Sequence, residues 1–169
     1  MKRIAVISDN HGYYCDAVEQ HLLDADEIWH AGDIGSLDSI DKYRHITTFR
    51  AVYGNIDDAD VRSVFPLNAI FTCEGLKIFM THIGGYPGKY SARVHQVIES
   101  EKPNIYICGH SHICKIVPDK VHALLHINPG AYGIHGFHHF RTMVKFEIHE
   151  TKIQNMQVIE LGLRGKLQT

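Results

Sequence analysis

The sequence predicts an α/β layered fold in which two β-sheets pack face to face with helices outside. Three observations predict it. Short apolar runs alternate with helix-periodic segments through the first two thirds of the chain, the pattern of strands joined by helical crossovers. The last third is a series of strand-like runs with little helical periodicity, which calls for a second sheet. The apolar runs also stop abruptly at polar, often glycine-marked turns. A length of 169 residues suits one domain spanning 1–169. Hydrophobic residues at 44% and charged residues at 21% exclude a disordered or fibrous chain.

Residues 2–8 read as a buried strand that closes at Asp9-Asn10-His11-Gly12. A helix follows over about 14–23, where Ala17, Val18, His21 and Leu22 recur at helical spacing. Residues 27–31 form a second strand ending at Gly32-Asp33, and 37–45 a short helix. A third strand over 49–53 ends at Gly54-Asn55. Residues 69–73 and 77–81 flank Glu74-Gly75 and predict a hairpin whose second arm ends at His82. Val94, Val97 and Ile98 make 89–100 an amphipathic helix. The strand at 105–108 ends at Gly109-His110-Ser111-His112, and 115–117, 121–127, 142–148 and 153–161 are strand-like.

The composition also bounds function. A formal net charge of −2 argues against a dominant nucleic-acid footprint, which needs a basic face. No apolar run approaches the ~20 residues of a membrane span, and the apolar start is too short for a signal peptide. A cytoplasmic protein is expected. Cys15, Cys73, Cys108 and Cys114 lack paired spacing and read as small buried hydrophobes. Gly84 to Tyr90 faintly suggests a phosphate loop, but Ile83 and Tyr90 occupy its first glycine and its hydroxyl positions. No Gly-x-Ser-x-Gly elbow is present.

Fourteen histidines are the compositional oddity. Five strand ends carry metal-competent side chains: Asp9 and His11, Asp33, Asn55, His82, and His110 with His112. Gly-Asp and Gly-Asn are ordinary turn dipeptides, so each motif alone is weak. Ligands of open α/β sheets bind outside the carboxyl ends of the strands, and neighbouring strands would bring these seven donors to one rim. A single ion takes about four to six ligands, so seven suggest two ions sharing a carboxylate. Nitrogen and oxygen donors without thiolate suit manganese, iron, zinc, nickel or cobalt better than calcium. Manganese is the expected ion, with magnesium also admissible. Four metal charges less those of Asp9 and Asp33 leave about +2, enough for a hydroxide and a phosphate.

The motifs Asp9-Asn10-His11, Gly32-Asp33, Gly54-Asn55-Ile56-Asp57, Thr81-His82 and Gly109-His110-Ser111-His112 resemble the ordered motifs of calcineurin-like metallophosphoesterases. The short chain and Asn128-Pro129-Gly130 resemble the compact bacterial and archaeal branch related to the retromer small subunit. The resemblance implies a four-layer αββα sandwich with two mixed sheets. It implies one ion on Asp9, His11, Asp33 and His112, a second on Asn55, His82 and His110, and Asp33 bridging them. His30 and Asp57 lie where outer partners would be useful, although a packed core histidine and a surface carboxylate fit as well.

The activity so implied is hydrolysis of a small phosphate diester or monoester. A hydroxide between two ions attacks phosphorus, with Asp33, Asn55 and His110 as the nearest protein groups. The alternative is a non-catalytic metal-binding scaffold of the same fold. Many family members carry a proton-donating histidine straight after the Gly-Asn pair; here that residue is Ile56. A substitute acid could come from the loop bearing His135, His138 and His139, which otherwise reads as a solvated turn. Arg141 would steady that loop, contact substrate or lie idle on the surface. A second departure is Ala131, where the family often has serine. Because ligating histidines must be neutral, activity is expected to decline below about pH 6.

Overall fold

Ten strands build two five-stranded mixed sheets in the computed structural model, which describes residues 1–165. The first sheet has the order β10-β9-β1-β2-β3 and the second β4-β5-β6-β8-β7. In the first, β1 (Lys2–Ile7), β2 (Glu27–His30) and β3 (Thr48–Ala51) are parallel, with β9 (Phe140–His149) and β10 (Lys152–Leu163) antiparallel at one edge. In the second, β5 (Leu76–Thr81), β6 (Ile105–Ile107) and β8 (Leu124–Pro129) are parallel, flanked by antiparallel β4 (Asn68–Cys73) and β7 (Cys114–Asp119).

Burial explains the layering. One cluster joins Ile4, Val6, Trp29 and Val144 of the first sheet to Ile78, Met80, Ile107 and Ile127 of the second. Strands buried on both faces need apolar side chains at nearly every position; Ile4–Ile7 of β1 follows this rule, whereas β2 buries Glu27 and His30 beside Ile28 and Trp29 and satisfies both with hydrogen bonds. On the outer face of the first sheet, Ala5, Ile7 and Ile28 pack against α1 (Asp16–Leu22), α2 (Asp41–Arg44) and α3 (Ala59–Val64) through Val18, Leu22, Tyr43 and Val61. On the other side Phe79 and Tyr106 pack under α4 (Ala92–Glu101) through Val94 and Ile98. The result is a four-layer αββα sandwich.

The differences from the sequence reading are local. The helix expected over 37–45 is a 3-10 turn, Leu37–Ile40, running into α2. The short α3 was not foreseen; its signal is Asp58, whose side chain accepts from the N–H groups of Asp60 and Val61. β8 starts at Leu124 rather than at 121, because Ala123 turns the chain at φ +53°. Cys15, Cys73 and Cys108 are buried and Cys114 half-buried, all as free thiols. No helix among the described residues is long and apolar enough to cross a membrane.

His126 is buried on β8 with its ring 5.3 Å from Tyr106, and its Nδ1 has no hydrogen-bond partner. Burial, aided by Lys115, pushes its pKa down to about 4. The unfolded chain takes up this proton near pH 6.5, so it binds more protons than the folded chain between pH 6.5 and 4. Stability therefore falls as pH falls through that window, by about 2 kcal/mol between pH 7 and 5. His126→Leu should flatten the pH dependence of denaturant-derived stability by that amount. An unchanged slope would contradict a neutral buried imidazole.

Candidate metal centre

The carboxyl ends of the parallel strands in both sheets meet at one edge of the sandwich. Backbone hydrogen bonds knit the loops there: Asp9 N–H donates to Gly32 O, His11 N–H to Asp33 O and Gly109 N–H to His82 O, each at 3.0 Å. Two side-chain clusters result, Asp9 with His11 and His112, and Asp33 with His82 and His110. Within each, the ligand atoms lie within 4.8 Å of one another. Asp33 faces both: its Oδ2 is 3.3 Å from His11 Nε2 and its Oδ1 is 3.2 Å from His82 Nε2. Asp9 Oδ1 lies 3.3 Å from His112 Nε2 and 3.8 Å from His82 Nε2.

The backbone is bent to aim these groups. Asp9, His11, Asp33, His110 and His112 all have φ between 48° and 71°. This left-handed region is costly for residues with a Cβ, and such strain clusters at functional sites. Two glycines leave room for the carboxylates. A Cβ at Gly54 would stand 2.0 Å from Asp33 Oδ1, and one at Gly109 would stand 2.6 Å from Asp9 Oδ2.

Hydrogen bonds fix which atoms face the centre. His82 Nδ1 is 2.7 Å from Ala31 O, which can only accept, so Nδ1 carries the proton and a neutral ring turns a bare Nε2 inward. Similarly, His138 Nε2 is 2.9 Å from Gly133 O, so it donates there and leaves Nδ1 to accept from His112 Nδ1 at 3.2 Å. His112 then also presents a bare Nε2. Asp9 Oδ2 accepts from Ser8 Oγ at 2.6 Å and from His110 N–H at 3.1 Å, while its Oδ1 has no partner. His11 Nε2 and His82 Nε2 are likewise buried without an aligned hydrogen bond, despite their nearby carboxylate oxygens. Lone pairs aimed at carboxylates in a buried pit repel unless a cation or proton stands between them. The donor set fits divalent ions on those grounds.

The electrostatics of the pit favour positive charge between these rings and carboxylates, whether a proton or a metal ion supplies it. Burial works to raise the Asp33 carboxyl, but His11, His82 and the Ile56 N–H outweigh it and hold it far below the ordinary carboxylate range. Burial likewise opposes charge on His82, and Asp33 with Asp9 outweighs it, so its pKa lies above the ordinary value. Depth grades the site, from buried Asp9, Asp33 and His82 at the floor to exposed Asn55 and His110 at the rim.

The outer candidates divide. His30 is fully buried, with its pKa pushed down to about 3 by burial, and stays neutral. Its Nδ1 accepts from Gly32 N–H at 3.1 Å and its Nε2 donates to Asn10 Oδ1 at 2.9 Å, so it braces backbone rather than ligands. Asp57 is buried, not a surface carboxylate, and accepts from Gly35 N–H and Gly54 N–H at 2.7 Å each, tying together the loops of Asp33 and Asn55. In the loop after β8, His138 is buried against His112, so this turn is only partly solvated. His135 is exposed, with its ring 4.9 Å from that of His11. His139 is exposed along a groove shared with His112 and Phe137. Arg141 donates to Leu161 O at 2.6 Å, and its Nη1 lies near Tyr132 O and Cys15 Sγ.

Two residues escaped the sequence reading. Arg62 and Arg93 line a cleft of about 470 Å³ with Asn55, His82 and Leu67. Arg62 holds the Asn55 loop by donating to Asp57 O at 2.6 Å, and Arg93 donates to Ile83 O at 2.8 Å beside His82. No motif announces either arginine; each is defined by what the fold brings beside it.

The sandwich is shared with known structures. Vps29 from Entamoeba histolytica in complex with Zn²⁺ superposes with a TM-score of 0.71 at 15% identity, covering 94% of this chain and 98% of that one. A Thermotoga maritima protein solved by NMR gives 0.70 at 22% identity over 95% and 100%. An archaeal phosphodiesterase gives 0.69 at 19% over 94% and 99%. At these identities the likeness shows the fold. No curated protein sequence matches the chain. The calcineurin-like phosphoesterase superfamily domain matches residues 1–151, and the chain belongs to that superfamily.

Proposed function

We propose that this protein hydrolyses a small phosphate ester at a pair of divalent ions. Asp9, His11, Asp33 and His112 would hold one ion, and Asn55, His82 and His110 the other, with Asp33 shared. The observation that carries this reading is the position of Asp33, whose two oxygens face two separate histidine clusters. When bound, such ions lower the pKa of water from about 15.7 toward about 7 and polarise phosphoryl oxygens.

The chain supplies the remainder. Ala31 O and His138 hold His82 and His112 in the tautomers that present Nε2. Asp57 and Arg62 keep Asn55 at the rim, where its amide can meet a phosphoryl oxygen. Arg62 and Arg93 give the adjoining cleft a positive wall for an anionic substrate. His135 is the loop histidine placed beside the donors with its ring open to solvent, and it is our candidate for delivering a proton to the leaving oxygen. His138 is a positioning residue, because its Nε2 proton is committed to Gly133 O.

The test is turnover of bis(p-nitrophenyl) phosphate by metal-free protein reconstituted with Mn²⁺, alongside elemental analysis. Activity rising with metal content to two equivalents supports the reading; full loading without turnover favours the scaffold alternative, to which Ile56 lends weight. His138→Ala should lower kcat/KM and metal affinity about 10–100-fold, as loss of a ligand-orienting partner does. His138→Asn, whose amide oxygen can accept from His112, should restore much of this. Equal losses in both variants would argue against the positioning role.

A further inference from the structure

Away from this centre, His95, Glu99 and His122 bring three ligand atoms within 4.8 Å of one another. His95 and Glu99 are four residues apart on α4, so they share one helix face. His122 comes from the turn between β7 and β8. Glu99 Oε1 lies 3.2 Å from His122 Nε2 and 3.8 Å from His95 Nε2. Zinc–ligand bonds of about 2.0–2.1 Å in a tetrahedron put ligand atoms roughly 3.3 Å apart, close to the shorter of these separations.

An accidental surface pair does not account for the way His122 is held. Its Nδ1 is 2.7 Å from Asp119 Oδ2, so that nitrogen carries the proton and Nε2 is turned toward Glu99. Asp119 is itself buried and fixed: Oδ1 accepts from the N–H groups of Val121 and His122, and Oδ2 accepts from Tyr90 Oη at 2.7 Å. A carboxylate that orients an imidazole, itself anchored by further hydrogen bonds, is the support that ligating histidines receive. The His95 and His122 rings meet edge to face at 5.5 Å. That arrangement sets both Nε2 atoms near one carboxylate oxygen.

We propose that His95, Glu99 and His122 form a third metal site, for a zinc-class divalent transition ion with water completing its coordination. Two imidazoles and one carboxylate suit such an ion better than calcium or magnesium, which take oxygen. Bound there, the ion clips α4 to the β7–β8 turn. The site shares no residue with the seven donors above and stands independently of the phosphoesterase reading.

The test is zinc stoichiometry, measured by elemental analysis of metal-free protein equilibrated with Zn²⁺ and freed of excess. The double variant H95Q/E99Q changes two exposed side chains and should bind one equivalent fewer than the unsubstituted protein, with Mn²⁺-supported phosphoester turnover unchanged. D33N/H82A should retain that equivalent while losing others. Co²⁺ added to D33N/H82A should give four-coordinate visible bands that vanish when H95Q/E99Q is combined with it. Equal zinc content in the unsubstituted protein and H95Q/E99Q overturns the proposal. Failure of D33N/H82A to lose any equivalent would instead strike the dinuclear reading alone.

Discussion

Asp33→Asn is expected to lower phosphoester turnover by at least ~100-fold at matched Mn²⁺ loading. That figure is the upper end of the loss caused by removing an outer partner of a metal ligand, and Asp33 stands closer than any outer partner. Its carboxylate is buried between His11 and His82, at 3.3 and 3.2 Å, with one oxygen turned to each cluster. The amide removes one negative charge and leaves a single oxygen to do the work of two. That oxygen can still accept from Ile56 N–H, as Asp33 Oδ1 does at 3.1 Å, so the loop should keep its shape. Kinetics with metal content determined on the same samples, plus unfolding of the metal-free forms, separates lost chemistry from lost fold. Undiminished turnover at equal loading would contradict the assignment.

Aryl phosphoesters with acidic leaving groups should be hydrolysed at least ~100-fold faster than alkyl esters. A positioned general acid is typically worth 100–10,000-fold, and Ile56 has no proton to give. Its backbone N–H holds Asp33 while its side chain stands exposed at the rim, so the residue is well placed and chemically silent. An acidic leaving group departs unaided, whereas an alkoxide does not. Ile56→His should therefore raise the alkyl-ester rate selectively, and His135→Ala should lower it. A flat leaving-group series under rate-limiting chemistry would contradict this and show that a side chain such as His135 replaces the missing acid in full.

Much of this was legible in the sequence because it rests on local rules. The buried Ile4–Ile7 stretch of β1 reads as a continuous apolar run, and the polar residues that end it sit where parallel strands deliver ligands. The seven candidate donors stand out in the sequence by their positions at strand ends, and the structure gathers six of them into two clusters. Their tautomers were not, since these depend on carbonyls brought from other loops, Ala31 O for His82 and Gly133 O by way of His138 for His112. Asp57 was open between two readings until Gly35 and Gly54 came to its two oxygens. The 89–100 helix was foreseen, but the use of its outer face was hidden, because His95 and Glu99 acquire meaning only beside His122. Contacts across the sandwich are long-range, and periodicity along the chain does not record them.

The most direct measurement is anomalous diffraction from crystals of the Mn²⁺-loaded protein. Two peaks sharing Asp33, one beside Asp9, His11 and His112 and the other beside Asn55, His82 and His110, are expected. A lone peak, or none among these side chains at full Mn²⁺ occupancy elsewhere, would contradict the dinuclear centre and with it the proposed hydrolysis.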